Sequence, residues 1–138
     1  MARPRVLVVD DDRDIRDVLS EMLDVEGFDV ETAVNGREAL GRLGAHKADV
    51  LVTDLMMPVM DGWALVAAAR SRPRLRRMPI VVITAHAGSI VPGADRIVTK
   101  PFDIDVLVSA VREAAETRQP RRARARAAAG GRVTTLRS

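Results

Sequence analysis

Three aspartates follow short apolar runs, at positions where their carboxylates could act together. Asp10 and Asp11 directly follow residues 6–9, and Asp54 ends the run that begins at Val50. Open α/β sheets place their chemistry at the carboxyl ends of strands, so we expect these three side chains to meet at one edge. Like charges that close destabilise one another unless a cation joins them, and an all-oxygen ligand set favours Mg²⁺. The pattern therefore predicts a magnesium site.

A hydroxyl and an ammonium group follow two later apolar runs. Thr84 comes after residues 80–83, and Lys100 follows the short run that begins at Ile97. The chain has 20 arginines and only two lysines, so a lysine at position 100 stands out. It indicates that a compact ammonium is needed there, as at a tight anionic site. Simpler interpretations stay open, because Thr is an ordinary strand-end residue and Asp10 and Asp11 could begin a helix.

Strand-like apolar runs alternate with helical patterns along the chain, which predicts βα units and a parallel sheet. Asp12 is a predicted N-cap, and Asn35 with Glu38 predicts a capping box. Helices are predicted over residues 13–25, 35–45, 62–70 and 103–117, and the second strand over residues 28–33. Helical spacing predicts buried faces formed by Ile15, Val18, Leu19, Met22 and Leu23 in the first helix, and by Val106, Leu107, Ala110 and Val111 in the last.

Charge divides the 138-residue chain into two parts. Residues 1–117 carry 15 basic and 19 acidic side chains, a net charge of −4, whereas residues 118–138 carry seven arginines and no acid. We expect one folded domain over residues 1–118 and a basic, disordered tail over residues 119–138, since the tail has little apolar surface to bury. Cysteine is absent, which excludes disulfides and thiolate metal sites.

The apolar runs are far shorter than the ~20 residues that a membrane helix needs. Four apolar residues after the basic start are too few for a signal peptide. We therefore expect a cytoplasmic protein with no membrane partner.

The order of these residues along the chain resembles the receiver domains of two-component response regulators. The resemblance rests on the pair Asp10 and Asp11, on Asp54 with the following Met-Pro and Asp-Gly punctuation, on Thr84, and on Lys100 before a proline. It implies a doubly wound, five-stranded parallel sheet of flavodoxin-like order 2-1-3-4-5.

The resemblance also implies a role for each site residue. Asp54 is the expected phospho-acceptor, and Thr84 and Lys100 are the expected contacts of the phosphoryl oxygens. Mg²⁺ would be bound by the side chains of Asp10, Asp11 and Asp54 and by the backbone carbonyl of Met56, and Pro101 would follow a cis peptide bond.

The segment after Thr84 departs from the family pattern. Only fifteen residues separate Thr84 from Lys100, fewer than receivers usually have, and they include Gly88, Pro92 and Gly93. These residues disfavour a helix, so we expect the helix that receivers place here to be shortened or absent. The face through which receivers usually dimerise would then lose one element, and we expect no such dimer.

Three other residues limit what the resemblance implies, and a fourth could report on it. Ile97 stands where receivers usually carry a switch Tyr or Phe. Met56 and His86 occupy positions that modulate loss of the phosphoryl group, although His86 otherwise reads as an exposed loop residue. Trp63, the single tryptophan, should pack near the loop after Asp54 and report a phosphorylation signal there.

Three functions are compatible with these observations. The first is a stand-alone phospho-accepting receiver, which takes its phosphoryl group from a histidine kinase or phosphotransfer protein and acts through a protein partner; it is a signalling acceptor and not an enzyme. The second is a constitutive interaction module that phosphorylation no longer switches. The third is nucleic-acid binding through the arginine-rich tail, which is disfavoured because the domain is acidic and the tail has no aromatic residue.

Overall fold

A computed structural model describes residues 3–118, which form five parallel strands and four helices. The strand order is β2-β1-β3-β4-β5, so the predicted doubly wound topology is confirmed. The elements are β1 (Arg5–Val9), α1 (Arg13–Val25), β2 (Asp29–Ala33), α2 (Gly36–Ala45), β3 (Val50–Asp54), α3 (Gly62–Ser71), β4 (Ile80–Thr84), β5 (Arg96–Thr99) and α4 (Ile104–Arg118).

The sheet lies between two layers of helices, and each face has its own core. Side chains of a strand point alternately to opposite faces, so Leu7 packs toward α2 and α3 whereas Val8 packs toward α1 and α4. The central strands are buried on both faces, which explains the continuous apolar run Val50, Leu51 and Val52.

Local capping sets where three helices begin. The side chain of Asp12 accepts hydrogen bonds at the start of α1, and Asp61 accepts from the Ala64 N–H at the start of α3. At α2, Asn35 accepts from the Glu38 N–H at 2.9 Å, and Glu38 accepts in return from a backbone N–H at 2.8 Å. Asn35 is thus the predicted N-cap, but Glu38 bonds the N–H of Val34, one residue before the cap, and the reciprocal bond of a capping box to the N–H of Asn35 is not formed.

The connection between β4 and β5, residues 85–95, contains turns but no helix. The expected loss of the helix at this place is confirmed. Gly88 and Gly93 have φ values of +84° and +94°, which glycine adopts without strain, so the residues that disfavour a helix also form the turns.

Three predicted core positions are wrong. Val18 and Met22 of α1 are 49% and 43% exposed, and Val106 of α4 is 51% exposed. The apolar stripe on each helix is wider than the strip that the sheet covers, so its margin stays in solvent. The predicted tail, residues 119–138, lies outside the described residues.

Candidate functional site

Asp54 ends β3 and turns directly into a tightly packed loop. Its Oδ1 accepts a hydrogen bond from the Leu55 N–H at 2.9 Å. A Cβ added at Gly62 would lie 2.5 Å from the Asp54 carbonyl oxygen, so only glycine lets α3 begin this close to the strand end. The Gly62 N–H also donates to the Leu55 carbonyl at 2.8 Å. The Asp-Gly pair that starts α3 thus fixes the loop that presents Asp54.

Asp10 and Asp11 lie next to Asp54, because β1 and β3 are paired neighbours in the sheet. Carboxylate oxygens of all three residues lie within 4.8 Å of one another. Asp10 is only 2% exposed, and its Oδ1 accepts from the Asp12 N–H at 2.9 Å. Its Oδ2 is buried without a hydrogen-bond partner. A buried carboxylate oxygen in this position needs a cation or a proton.

The pKa values of Asp10 and Asp54 also indicate a site that needs a cation or a proton. Burial raises the pKa of Asp10 from 3.8 to about 6, and the nearby Asp54 charge adds to that rise. Burial also raises the pKa of Asp54, although the Lys100 ammonium opposes the shift. Both carboxylates are therefore harder to ionise than free aspartate, which is the expected cost of placing like charges together out of water.

These residues fit Mg²⁺. Asp10 has an unpartnered buried oxygen, Oδ2, and the three side chains of the cluster offer only carboxylate oxygens, which suits a hard divalent cation. The side chain of Asp11 is exposed and leaves the cluster open to solvent, as a cation that keeps several waters requires.

Lys100 approaches the cluster from the end of β5. Its Nζ lies 3.8 Å from Asp54 Oδ1, and its backbone N–H donates to the Thr84 carbonyl at 2.7 Å. The peptide bond between Lys100 and Pro101 is cis. Thr84 ends the neighbouring strand β4 with a buried side chain, and its Oγ1 accepts from the His86 N–H at 3.1 Å. The sheet thus brings the hydroxyl and the ammonium to the same edge as the acids.

The remaining candidate residues lie around this edge. The Met56 side chain is exposed in the loop after Asp54, and His86 is exposed in the loop after Thr84. Ile97 lies on the edge strand β5, 40% exposed, so no aromatic side chain lies at the position where the family carries one.

Sequence reasoning missed two features of the site. Arg16 donates from its guanidinium to the Asp10 carbonyl at 2.7 Å and so helps to hold the end of β1. With 20 arginines in the chain, nothing in the sequence singled this one out. Val59, in the loop after Asp54, has a φ of +73°, a strained conformation for a β-branched residue. Neither its type nor its neighbours signal that strain.

Comparison with known proteins agrees with this geometry. Residues 6–112 match the model of the response regulator receiver domain. The chain is 39% identical over 115 residues to the transcriptional regulatory protein PrrA of Mycobacterium tuberculosis, covering 79% of this chain and 48% of PrrA. It is 37% identical over 119 residues to a 14.6 kDa protein of Leptolyngbya boryana, covering 82% of this chain and 91% of that protein.

Solved structures show the same fold. The chemotaxis response regulator CheY4 of Vibrio cholerae has a TM-score of 0.76 and 33% identity, covering 81% of this chain and 98% of CheY4. The chain spans about half the length of PrrA, the curated relative described above (48%). No helix within residues 3–118 is long and apolar enough to cross a membrane. Strand order, the acidic edge and the matched residues together place this chain in the response regulator receiver domain family.

Proposed function

We propose that this receiver accepts a phosphoryl group on Asp54 from a phosphohistidine or a small phosphodonor. The observation that carries the proposal is the position of Asp54 at the strand end, 3.8 Å from the Lys100 ammonium and beside two further carboxylates. An isolated acidic cluster would hold a cation alone. The ammonium adds the second positive charge that a transferred phosphoryl group requires.

The chemistry follows from these contacts. A carboxylate oxygen of Asp54 attacks phosphorus, the bond from phosphorus to the histidine nitrogen or to the oxygen of a small donor breaks, and an acyl phosphate forms. Lys100 neutralises one phosphoryl oxygen, and the Thr84 hydroxyl turns to donate to another. Asp10, Asp11, Asp54 and the Met56 carbonyl would hold Mg²⁺, which would supply further charge neutralisation when bound. Catalysis of this kind is mainly positioning, which the strand ends provide.

Receiver domains take their phosphoryl groups from histidine kinases or phosphotransfer proteins, and the surface beside Lys100 suits a protein donor. A groove of about 600 Å³ lies there, between α1 and the segment after β5. The exposed Val18 and Met22 line it together with Lys100 itself. A donor that docks on this groove would bury its apolar wall next to Lys100.

We further propose that the chain acts as a stand-alone regulator through a protein target. The Leptolyngbya relative, matched over 91% of its length, supports a receiver of this size as a whole protein. PrrA is a transcriptional regulator, but the arginine-rich segment by which this chain could contact nucleic acid lies outside the described residues.

A second candidate function is a constitutive receiver-fold module. The exposed Ile97 and the helix-free connection between β4 and β5 favour it, because the usual route from the site to the β5 face is altered. The intact set Asp54, Thr84 and Lys100 favours the phospho-accepting function instead.

Intact-mass measurement after incubation with Mg²⁺ and acetyl phosphate separates the two. We expect one added phosphoryl group on the wild type and none on Asp54→Asn or in EDTA. Asp61→Asn is the matched control, because it changes a nearby acid that serves as the N-cap of α3. Wild-type protein that takes no phosphoryl group, or Asp54→Asn protein that takes as much, would refute the proposal.

A further inference from the structure

The connection between β4 and β5 takes the place of a helix by packing directly on α3. Val91 is buried in the same core cluster as Val66 of α3. A Cβ added at Gly93 would lie 3.0 Å from Val66 and 3.1 Å from Arg70, so a larger residue here would require these side chains of α3 to shift. Residues 85–95 are therefore part of the packed domain.

Arg70 fixes the far end of this connection. Its Nε donates to the Gly93 carbonyl at 2.9 Å, and its guanidinium forms an ion pair with Asp95 at 3.0 Å. The same guanidinium donates to the Met78 carbonyl at 2.7 Å, and Asp95 accepts from the Ile80 N–H at 2.7 Å. Several charge-assisted bonds on one planar group resist displacement, so this end is a fixed point.

At the near end, one hydrogen bond among the described residues joins the connection to α3. Trp63 Nε1, in the first turn of α3, donates to the Ile90 carbonyl at 3.0 Å. The His86 N–H bonds the Thr84 hydroxyl, and the His86 carbonyl accepts from both the backbone N–H and the hydroxyl of Ser89. Ile90 follows Ser89, so hydrogen bonds and peptide bonds connect Thr84 to Trp63 without a gap.

The end of β5 is joined to Thr84 through the main chain, where the Lys100 N–H donates to the Thr84 carbonyl at 2.7 Å, but among the described residues no hydrogen bond joins β5 to the Thr84 hydroxyl. Ile97 is aliphatic and partly in solvent, with no group that could follow a movement of Thr84 by hydrogen bonding. Asp95, just before β5, is held by Arg70 at the fixed end of the connection. Hydrogen bonds from the Thr84 hydroxyl therefore lead to the near end of the connection and to the Trp63 indole.

We propose that Trp63 is a coupling residue, which transmits phosphorylation of Asp54 from Thr84 to the first turns of α3. The inference rests on the proposed phosphoryl acceptance. In the present arrangement the Thr84 hydroxyl accepts from the His86 N–H. Once it donates to a phosphoryl oxygen, residues 86–90 follow, and the Trp63 hydrogen bond moves the start of α3 with them. The two positions of Thr84 are the two states that such coupling requires.

The test compares backbone amide NMR shifts with and without beryllium fluoride, a phosphoryl analogue, in the presence of Mg²⁺. In the wild type we expect shift changes in residues 86–90 and in residues 64–70 of α3. Trp63→Phe keeps an aromatic ring but removes the indole N–H. We expect this variant to retain the changes in residues 86–90 and to lose those in residues 64–70. Ile97→Ala is the matched control and should retain both sets.

Phosphoryl incorporation from acetyl phosphate is measured on the same proteins, and Trp63→Phe should incorporate as the wild type does. The coupling is refuted if the wild type incorporates the phosphoryl group but the amide shifts of residues 64–70 do not change. It is also refuted if Trp63→Phe retains the shift changes in residues 64–70. In both cases the acceptor function stands. Loss of the amide shift changes in Ile97→Ala would also refute the coupling through Trp63, because the signal would then be transmitted through β5. If the wild type neither incorporates nor responds, the acceptor function itself fails, and the coupling fails with it.

Discussion

The acidic edge and the connection between β4 and β5 differ in how closely they keep the receiver pattern. At the edge, Asp10, Asp54 and Lys100 stand at three strand ends where the sheet topology alone brings them together. In the connection, a helix is replaced by turns held by side chains of α3. The difference teaches that an edge set by strand ends keeps its geometry although the segment beside it has changed.

The largest expected effect tests the acidic edge. Lys100→Met should lower the rate of phosphoryl incorporation by about 10²-fold, since one pre-positioned charge on the reacting oxygens is lost. Lys47→Met removes the other lysine of the chain, which is exposed after α2, and should leave the rate unchanged. Timed intact-mass measurements with acetyl phosphate check both, and equal rates for Lys100→Met and wild type would contradict the assigned role.

The next effect tests the connection. Arg70→Ala leaves the carbonyls of Gly93, Arg76 and Met78 without their guanidinium donor, so the free energy of unfolding should fall by about 2–4 kcal/mol. Arg72→Ala, an exposed arginine at the end of α3, should change it little. Urea denaturation measures both.

Phosphoryl incorporation by the Arg70→Ala protein should persist under conditions where it is folded. An equal loss of stability in both arginine variants would show that the connection is not held by Arg70. Lost incorporation in folded protein would show that the two regions are less independent than their geometry indicates.

The pH dependence of stability sharpens the account of the acidic edge. Folding raises the pKa of Asp10 from 3.8 to about 6, so the folded protein holds this proton more tightly than the unfolded chain. This stabilisation is complete below about pH 4 and is lost as the pH rises through about 6, at most about 3 kcal/mol in the absence of metal.

Asp10→Asn should not lose this stability as the pH rises, and it should be more stable than the wild type at pH 7 in EDTA. Melting temperatures from pH 4 to 7 check this, with the exposed Asp11→Asn as the smaller-effect control. Mg²⁺ should reduce the difference in melting temperature between the wild type and Asp10→Asn. Parallel pH profiles for these two proteins would contradict a shared acidic pocket.

The smallest effect concerns the chain beyond both regions. Deletion of residues 119–138 should leave the melting temperature nearly unchanged, because their arginine, alanine and glycine content offers little apolar surface to bury. A loss of several degrees in a thermal melt would show that this segment contributes to the stability of the folded domain, in addition to the acidic edge and the connection.

The sequence by itself determined the strand order, through the family pattern, and the helix starts at Asp12 and Asn35. It also placed the acids and Lys100 at one edge, and it indicated the missing helix through Gly88, Pro92 and Gly93. These features depend on local periodicity, on capping within four residues, and on the rule that parallel strand ends meet at one edge.

Only the tertiary structure decided which apolar residues stay exposed and which polar groups find partners. Val18 and Val106 carry the same spacing signal as their buried neighbours, and only the width of the sheet beneath them excludes them. Trp63 meets its acceptor 27 residues away, and Arg70 meets the Gly93 carbonyl 23 residues away. Such contacts depend on how distant elements pack, which no local pattern encodes. The unpartnered oxygen of Asp10 arises in the same way, because burial is a property of the assembled domain.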